Sequence, residues 1–147
     1  MTPLRNFLTE DHRYCDDLLA LAETSLEAGN LSTAQEAFET FVAAMNLHFE
    51  AEETLLFPAF EQKTGMTSGP TQVMRFEHEQ MRSLMLAAVD DLKTGEIEEY
   101  QGLLETLLMM MQQHNMKEEN VLYPMCDQHL SDDVPEVLGH LKSLLEH

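Results

Sequence analysis

Apolar residues recur every three to four positions in four long stretches of the chain, the period of an amphipathic helix. The first stretch carries Leu8, Cys15, Leu19, Ala22 and Leu26, and the third Met74, Met81, Met85, Val89 and Leu92. The second carries Phe38, Phe41, Val42, Met45, Leu55, Leu56 and Ala59, and the fourth Leu104, Leu107, Leu108, Met111, Val121, Leu122 and Met125. No segment alternates as a strand does. The punctuation agrees with this pattern. Thr2-Pro3 reads as a helix start and Gly29-Asn30 as its end. Ser32 and Gln35 fit a capping box that opens a second helix, running to about residue 62. A third helix runs from about Pro70 to Gly95, and a fourth from about Ile97 to Cys126. Thr64 to Gly69 connects the two pairs. The short connections make the members of each pair antiparallel neighbours. The expected fold is therefore all-α, an up-down four-helix bundle. Ser131-Asp132-Asp133 breaks the pattern before a short fifth, C-terminal helix over about 133–146.

Each stripe is interrupted by polar residues at its centre. They are His12, His48 with Glu52, His78, and His114 with Glu118. On a helix, residues i and i+4 share a face, so His48 and Glu52 point the same way, as do His114 and Glu118. An unpaired carboxylate on a buried stripe costs on the order of several kcal/mol or takes up a proton. Something has to compensate these groups.

The interruptions also repeat. His48-Phe49-Glu50-Ala51-Glu52-Glu53-Thr54-Leu55-Leu56-Phe57-Pro58 returns 66 residues later as His114-Asn115-Met116-Lys117-Glu118-Glu119-Asn120-Val121-Leu122-Tyr123-Pro124. Asp11-His12 returns as Glu77-His78 at the same interval. The chain reads as one domain of two pseudo-repeats, about 1–66 and 67–132. Pro58 and Pro124 each remove a backbone donor late in a helix and predict a bend there. His12 lies 17 residues before Gly29 and His48 lies 19 after it; His78 and His114 stand in the same relation to Gly95. The four histidines therefore reach one level of the bundle.

Four imidazoles and two carboxylates exceed the four ligands of a tetrahedral zinc. They suit two metals that share the carboxylates, with positions left for a bridging oxygen and a small ligand. Mixed imidazole and carboxylate donors fit iron, with manganese and zinc as alternatives. The ferritin-like Glu-x-x-His arrangement is absent, because Thr9, Met45, Arg75 and Met111 stand three residues before the four histidines.

Charge and cysteine content narrow the partners. The chain has 147 residues and a formal net charge of −19, which argues against nucleic acid or an anionic membrane as a partner. The N-terminal segment lacks a signal-peptide apolar run, and no apolar run approaches a membrane span. Cys15 and Cys126 are too few for a disulfide framework and read as reduced thiols, with a cytoplasmic location expected.

Asp11-His12, the His48–Pro58 run, Glu77-His78 and the His114–Pro124 run together resemble the hemerythrin-like HHE cation-binding domains over roughly residues 1–130. The resemblance implies an up-down bundle around a non-haem pair of iron ions joined by an oxo or hydroxo bridge. It implies His12, His48, His78 and His114 as terminal ligands and Glu52 and Glu118 as bridging carboxylates. The implied function is binding of O2, NO or a related small ligand as a sensor, scavenger or carrier. The alternatives are iron handling or NO-stress repair, and oxidase or peroxide-decomposing activity at the same centre. Oxygen-carrying hemerythrins have a further histidine where this chain has Met74, which weakens simple oxygen carriage.

The flanking residues receive blander readings. Asp11 and Glu77 neighbour the site histidines on another face and read as flank residues. Asp16 reads as one side of a flank ion pair, with a seventh metal ligand as the alternative. Glu53 and Glu119 read equally as hydrogen-bond partners of the site or as solvated flank. Cys15 and the methionines read as core, and His129, His140 and His147 receive no role.

Overall fold

A computed structural model describes residues 2–146, so His147 lies outside the described residues. The helices begin and end close to where proline, glycine and periodicity place them. The first rod is α1 (Pro3–Glu27). The second is α2 (Leu31–Ala51), continued by a π turn over Glu52–Leu56 into α3 (Phe57–Thr64). The third is α4 (Pro70–Thr94). The fourth is α5 (Ile97–Lys117), continued by a π turn over Glu118–Leu122 into α6 (Tyr123–His129). A fifth helix, α7 (Val134–Leu144), closes the chain. Gly65 and Gly95 stop α3 and α4 at φ 74° and 77°, a conformation that only glycine adopts cheaply. Rods one and two pack against each other, as do three and four, which makes the up-down helical bundle.

Two local readings change. Ser32 and Gln35 form no capping box. The helix starts two residues earlier, with Asn30 at its N-cap, and the Gln35 side chain instead donates to the Leu92 carbonyl at 2.8 Å. Thr2 likewise makes no side-chain cap. The N–H groups of Leu4 and Arg5, in the first turn of α1, are satisfied from the far end of the chain. Leu4 and Arg5 N–H donate to the two Asp127 carboxylate oxygens at 2.9 and 3.1 Å. A carboxylate there answers both the orphan donors and the positive end of the helix dipole.

At the two prolines the rods wind into π turns. Phe57 and Tyr123 N–H donate five residues back, to Glu52 and Glu118 carbonyls, rather than to Glu53 and Glu119. The two carbonyls so released are taken by arginines: Arg75 Nη1 donates to Glu53 O at 3.3 Å and Arg5 Nε to Glu119 O at 2.6 Å. Each π turn holds one residue more than an α turn, so the buried face beyond it slips by one position. The expected Leu55, Leu56 and Ala59 become Leu56, Phe57 and Phe60; Val121, Leu122 and Met125 become Leu122, Tyr123 and Cys126. Val121 ends up 54 % exposed.

The interior is divided. One apolar cluster, around Phe38, Phe41, Met85 and Leu107, fills the end near the Gly29 and Gly95 turns. The other, around Leu8, Phe57, Phe60 and Leu141, fills the opposite end beneath α7. Between them lies a buried polar layer. Among the described residues no helix is long and apolar enough to cross a membrane.

Candidate metal centre

All six stripe-interrupting residues meet in that layer. Glu52, His78 and Glu118 have no exposure, and His48 and His114 have almost none. The order of helices accounts for this. His12 comes from α1, His48 from the end of α2, His78 from α4 and His114 from the end of α5, while Glu52 and Glu118 open the two π turns.

The donors form two groups whose ligand-type atoms lie within 4.8 Å of one another. Glu52, His78, His114 and Glu118 make one; His12, His48 and Glu118 make the other. Glu118 thus belongs to both. His78 Nε2 lies 3.1 Å from Glu52 Oε1, and His114 Nε2 lies 3.3 Å from Glu118 Oε1. Even so, Glu52 Oε1, His78 Nε2, His114 Nε2 and Glu118 Oε2 make no hydrogen bond. Four orphaned lone-pair atoms facing one space, all deeply buried, fit a cation and fit little else.

Each imidazole is gripped from behind. His12 Nδ1 donates to Glu119 at 2.7 Å, His48 to Asp11 at 2.7 Å, His78 to Glu53 at 2.8 Å and His114 to Glu77 at 2.8 Å. A carboxylate on Nδ1 keeps the proton there and turns the Nε2 lone pair inward, the arrangement of metal-binding histidines. These four carboxylates obey the 66-residue repeat. Asp11 and Glu77 each serve a histidine of their own half, whereas Glu53 and Glu119 each serve one of the other half.

Asp11 and Glu77 are therefore not idle flank residues. They do point away from their own neighbouring histidines, but toward the histidine of the adjacent antiparallel helix. Glu53 and Glu119 take the hydrogen-bonding role. Asp16 is exposed and makes no ion pair among the described residues, so the flank-pair reading fails there; partial burial holds its carboxyl above the ordinary range. Its repeat partner Arg82 binds Glu53 instead, at 2.8 and 2.9 Å. Cys15 and Cys126 are free and buried, and burial raises both thiols.

The carboxylates of the layer favour protonated imidazoles beside them. Burial pulls the His114 imidazolium down, but Glu118 and Glu52 outweigh it and lift the group to about 9. Burial raises the Glu53 carboxyl, yet hydrogen bonds from His78 and Arg82 win and lower it to about 2. Tyr123 is a site residue that sequence reasoning missed. Its hydroxyl donates to Glu52 Oε2 at 2.6 Å, and burial with the nearby Glu118 and Glu52 carboxylates keeps the phenol protonated. The signal was the aromatic position of the repeat, which is tyrosine in one copy and phenylalanine in the other.

The sequence matches the family model described as Hemerythrin HHE cation binding domain over residues 4–126. The chain belongs to the hemerythrin HHE family. No curated protein and no solved structure matches it. The match spans all four rods and every residue of the polar layer, and its description as cation-binding agrees with the orphaned donors. As a hemerythrin HHE domain, the chain carries a His/Glu cluster that could hold metal.

Proposed function

We propose that the polar layer holds two iron ions and that the protein binds a small diatomic ligand, O2 or NO, at them. The supporting observation is the quartet of buried, unpartnered atoms on Glu52, His78, His114 and Glu118. In this reading His12 and His48 are terminal ligands on one ion, His78 and His114 on the other, and Glu52 and Glu118 are shared between them. Iron bound there supplies coordination positions beyond those the protein fills, at which a small ligand binds. Mixed imidazole and carboxylate donors favour iron over a purely structural zinc.

The chain's own contribution is placement and exclusion. The four outer carboxylates fix the rings, and the two apolar clusters keep bulk water from the layer. A surface groove of about 580 Å3 between α1 and α5 has Asp16, Met111 and Glu119 in its wall, so it reaches the carboxylate behind His12. The two free, buried thiols suit a reducing compartment, and a cytoplasmic location belongs to the same reading.

Metal analysis combined with absorption spectra tests the proposal. Protein from iron-replete cells should carry two irons per chain, and its visible spectrum should change when NO or O2 is added to the reduced form. Stoichiometric zinc in place of iron, or iron whose spectrum is indifferent to both gases, would overturn it.

A further inference from the structure

The two halves of the layer differ in the aromatic residue that follows each π turn. Phe57 and Tyr123 occupy equivalent positions, each five residues beyond the glutamate that opens a π turn, and both rings are fully buried. Each lies roughly parallel to an imidazole. Phe57 stacks on His78 with centroids 5.7 Å apart and planes at 20°, and Tyr123 stacks on His12 at 5.7 Å and 27°. Only Tyr123 adds a polar atom. Its hydroxyl oxygen lies 3.2 Å from His12 Nε2, 3.2 Å from His48 Nε2 and 3.0 Å from Glu118 Oε1. Those are the inward atoms of the group His12, His48 and Glu118, which has three donors, whereas the group around His78 and His114 has four. The phenol oxygen stands among these three atoms and donates to Glu52 Oε2 at 2.6 Å, an atom that itself lies 3.5 Å from His48 Nε2.

We infer that Tyr123 is a further protein ligand, completing with its phenol oxygen the metal position formed by His12, His48 and Glu118. The inference rests on the iron reading above. Phenol oxygen is an established iron donor. On ferric binding the O–H bond is replaced by an O–Fe bond, the proton leaves to water, and no electron moves. The two metal positions are then chemically unlike although the backbone around them repeats: one has a phenol oxygen, the other a phenyl ring packed on His78.

Resonance Raman and visible spectra of the iron-loaded, air-oxidised protein test this, with wild type and Tyr123→Phe compared and iron counted in both. Wild type should hold two irons and show a phenolate-to-ferric charge-transfer band whose excitation enhances tyrosine ring modes, and ring-deuterated tyrosine should shift those modes. Y123F should lose the band and the modes while retaining iron at the Glu52, His78, His114 and Glu118 position. Two irons without tyrosine modes in wild type would overturn the inference and leave the iron reading standing. An unchanged band in Y123F would do the same. Absence of iron from wild type would overturn both. Should Y123F fail to fold, the isotope shift in wild type decides alone.

Discussion

Glu53 accepts a hydrogen bond from His78 Nδ1 at 2.8 Å and so ties the π turn of one half of the chain to the third rod, which belongs to the other half. Arg82, one turn further along the same helix, donates to both oxygens of that carboxylate. The carboxylate is thus fixed between two partners and fixes the ring in turn. Replacing Glu53 by alanine should free the His78 ring and weaken metal binding by roughly 10–100-fold. Competition with a coloured chelator measures this directly. Equal affinity in wild type and variant would show that the ring is oriented by packing on Phe49 and Phe57 alone.

Metal removal should destabilise the whole fold. The six inward donors come from all four rods and are brought together only in the native state, so binding free energy is folding free energy. The thermal midpoint should fall on treatment with a strong chelator and recover on adding ferrous iron. A midpoint that is the same in both conditions would place the donors elsewhere.

The metal-free chain should show its own pH dependence. His114 is raised to about 9 in the fold from an ordinary 6.5, because Glu118 and Glu52 outweigh burial. Its contribution to stability is complete below pH 6.5 and is lost as pH rises through about 9. Glu53 runs the other way: its carboxyl is lowered to about 2 from 4.5, so its contribution is present above pH 4.5 and lost as pH falls through about 2. Melts of chelated protein should therefore decline from pH 6.5 toward 9. The metal-loaded protein should decline less over that interval, because its imidazole stays neutral throughout. Parallel curves for the two forms would contradict the assignment of His114.

Phe41 is fully buried in the apolar cluster away from the polar layer. Phe41→Ala should cost about 3–5 kcal/mol in chemical denaturation by opening a cavity. Metal content per folded chain should stay at the wild-type value. A variant that loses metal along with stability would show that the two ends of the core are coupled through the layer.

Much of this was legible before any coordinates. The helices could be read because burial on one face imposes a 3.6-residue period, and Pro3, Gly29, Pro70 and Gly95 mark the ends through backbone rules that act locally. The six central residues could be read because a charged or imidazole group in the middle of an apolar stripe is costly, and a cost that recurs at 66-residue spacing is not incidental. The Ser32–Gln35 cap misled for a local reason: Gln35 found a better acceptor on α4 than on its own helix turn.

The amino-acid sequence by itself determined four rods, their antiparallel pairing, and a set of histidines and glutamates at matching heights, since each of these follows from periodicity and chain length along single helices. Tertiary structure alone decided which carboxylate stands behind which imidazole, because Asp11 and Glu77 act across to a neighbouring helix while Glu53 and Glu119 act on the other half. It also decided that Tyr123 enters the layer. A π turn slips the buried face by one residue, and the carbonyl it releases accepts a hydrogen bond from an arginine of another rod.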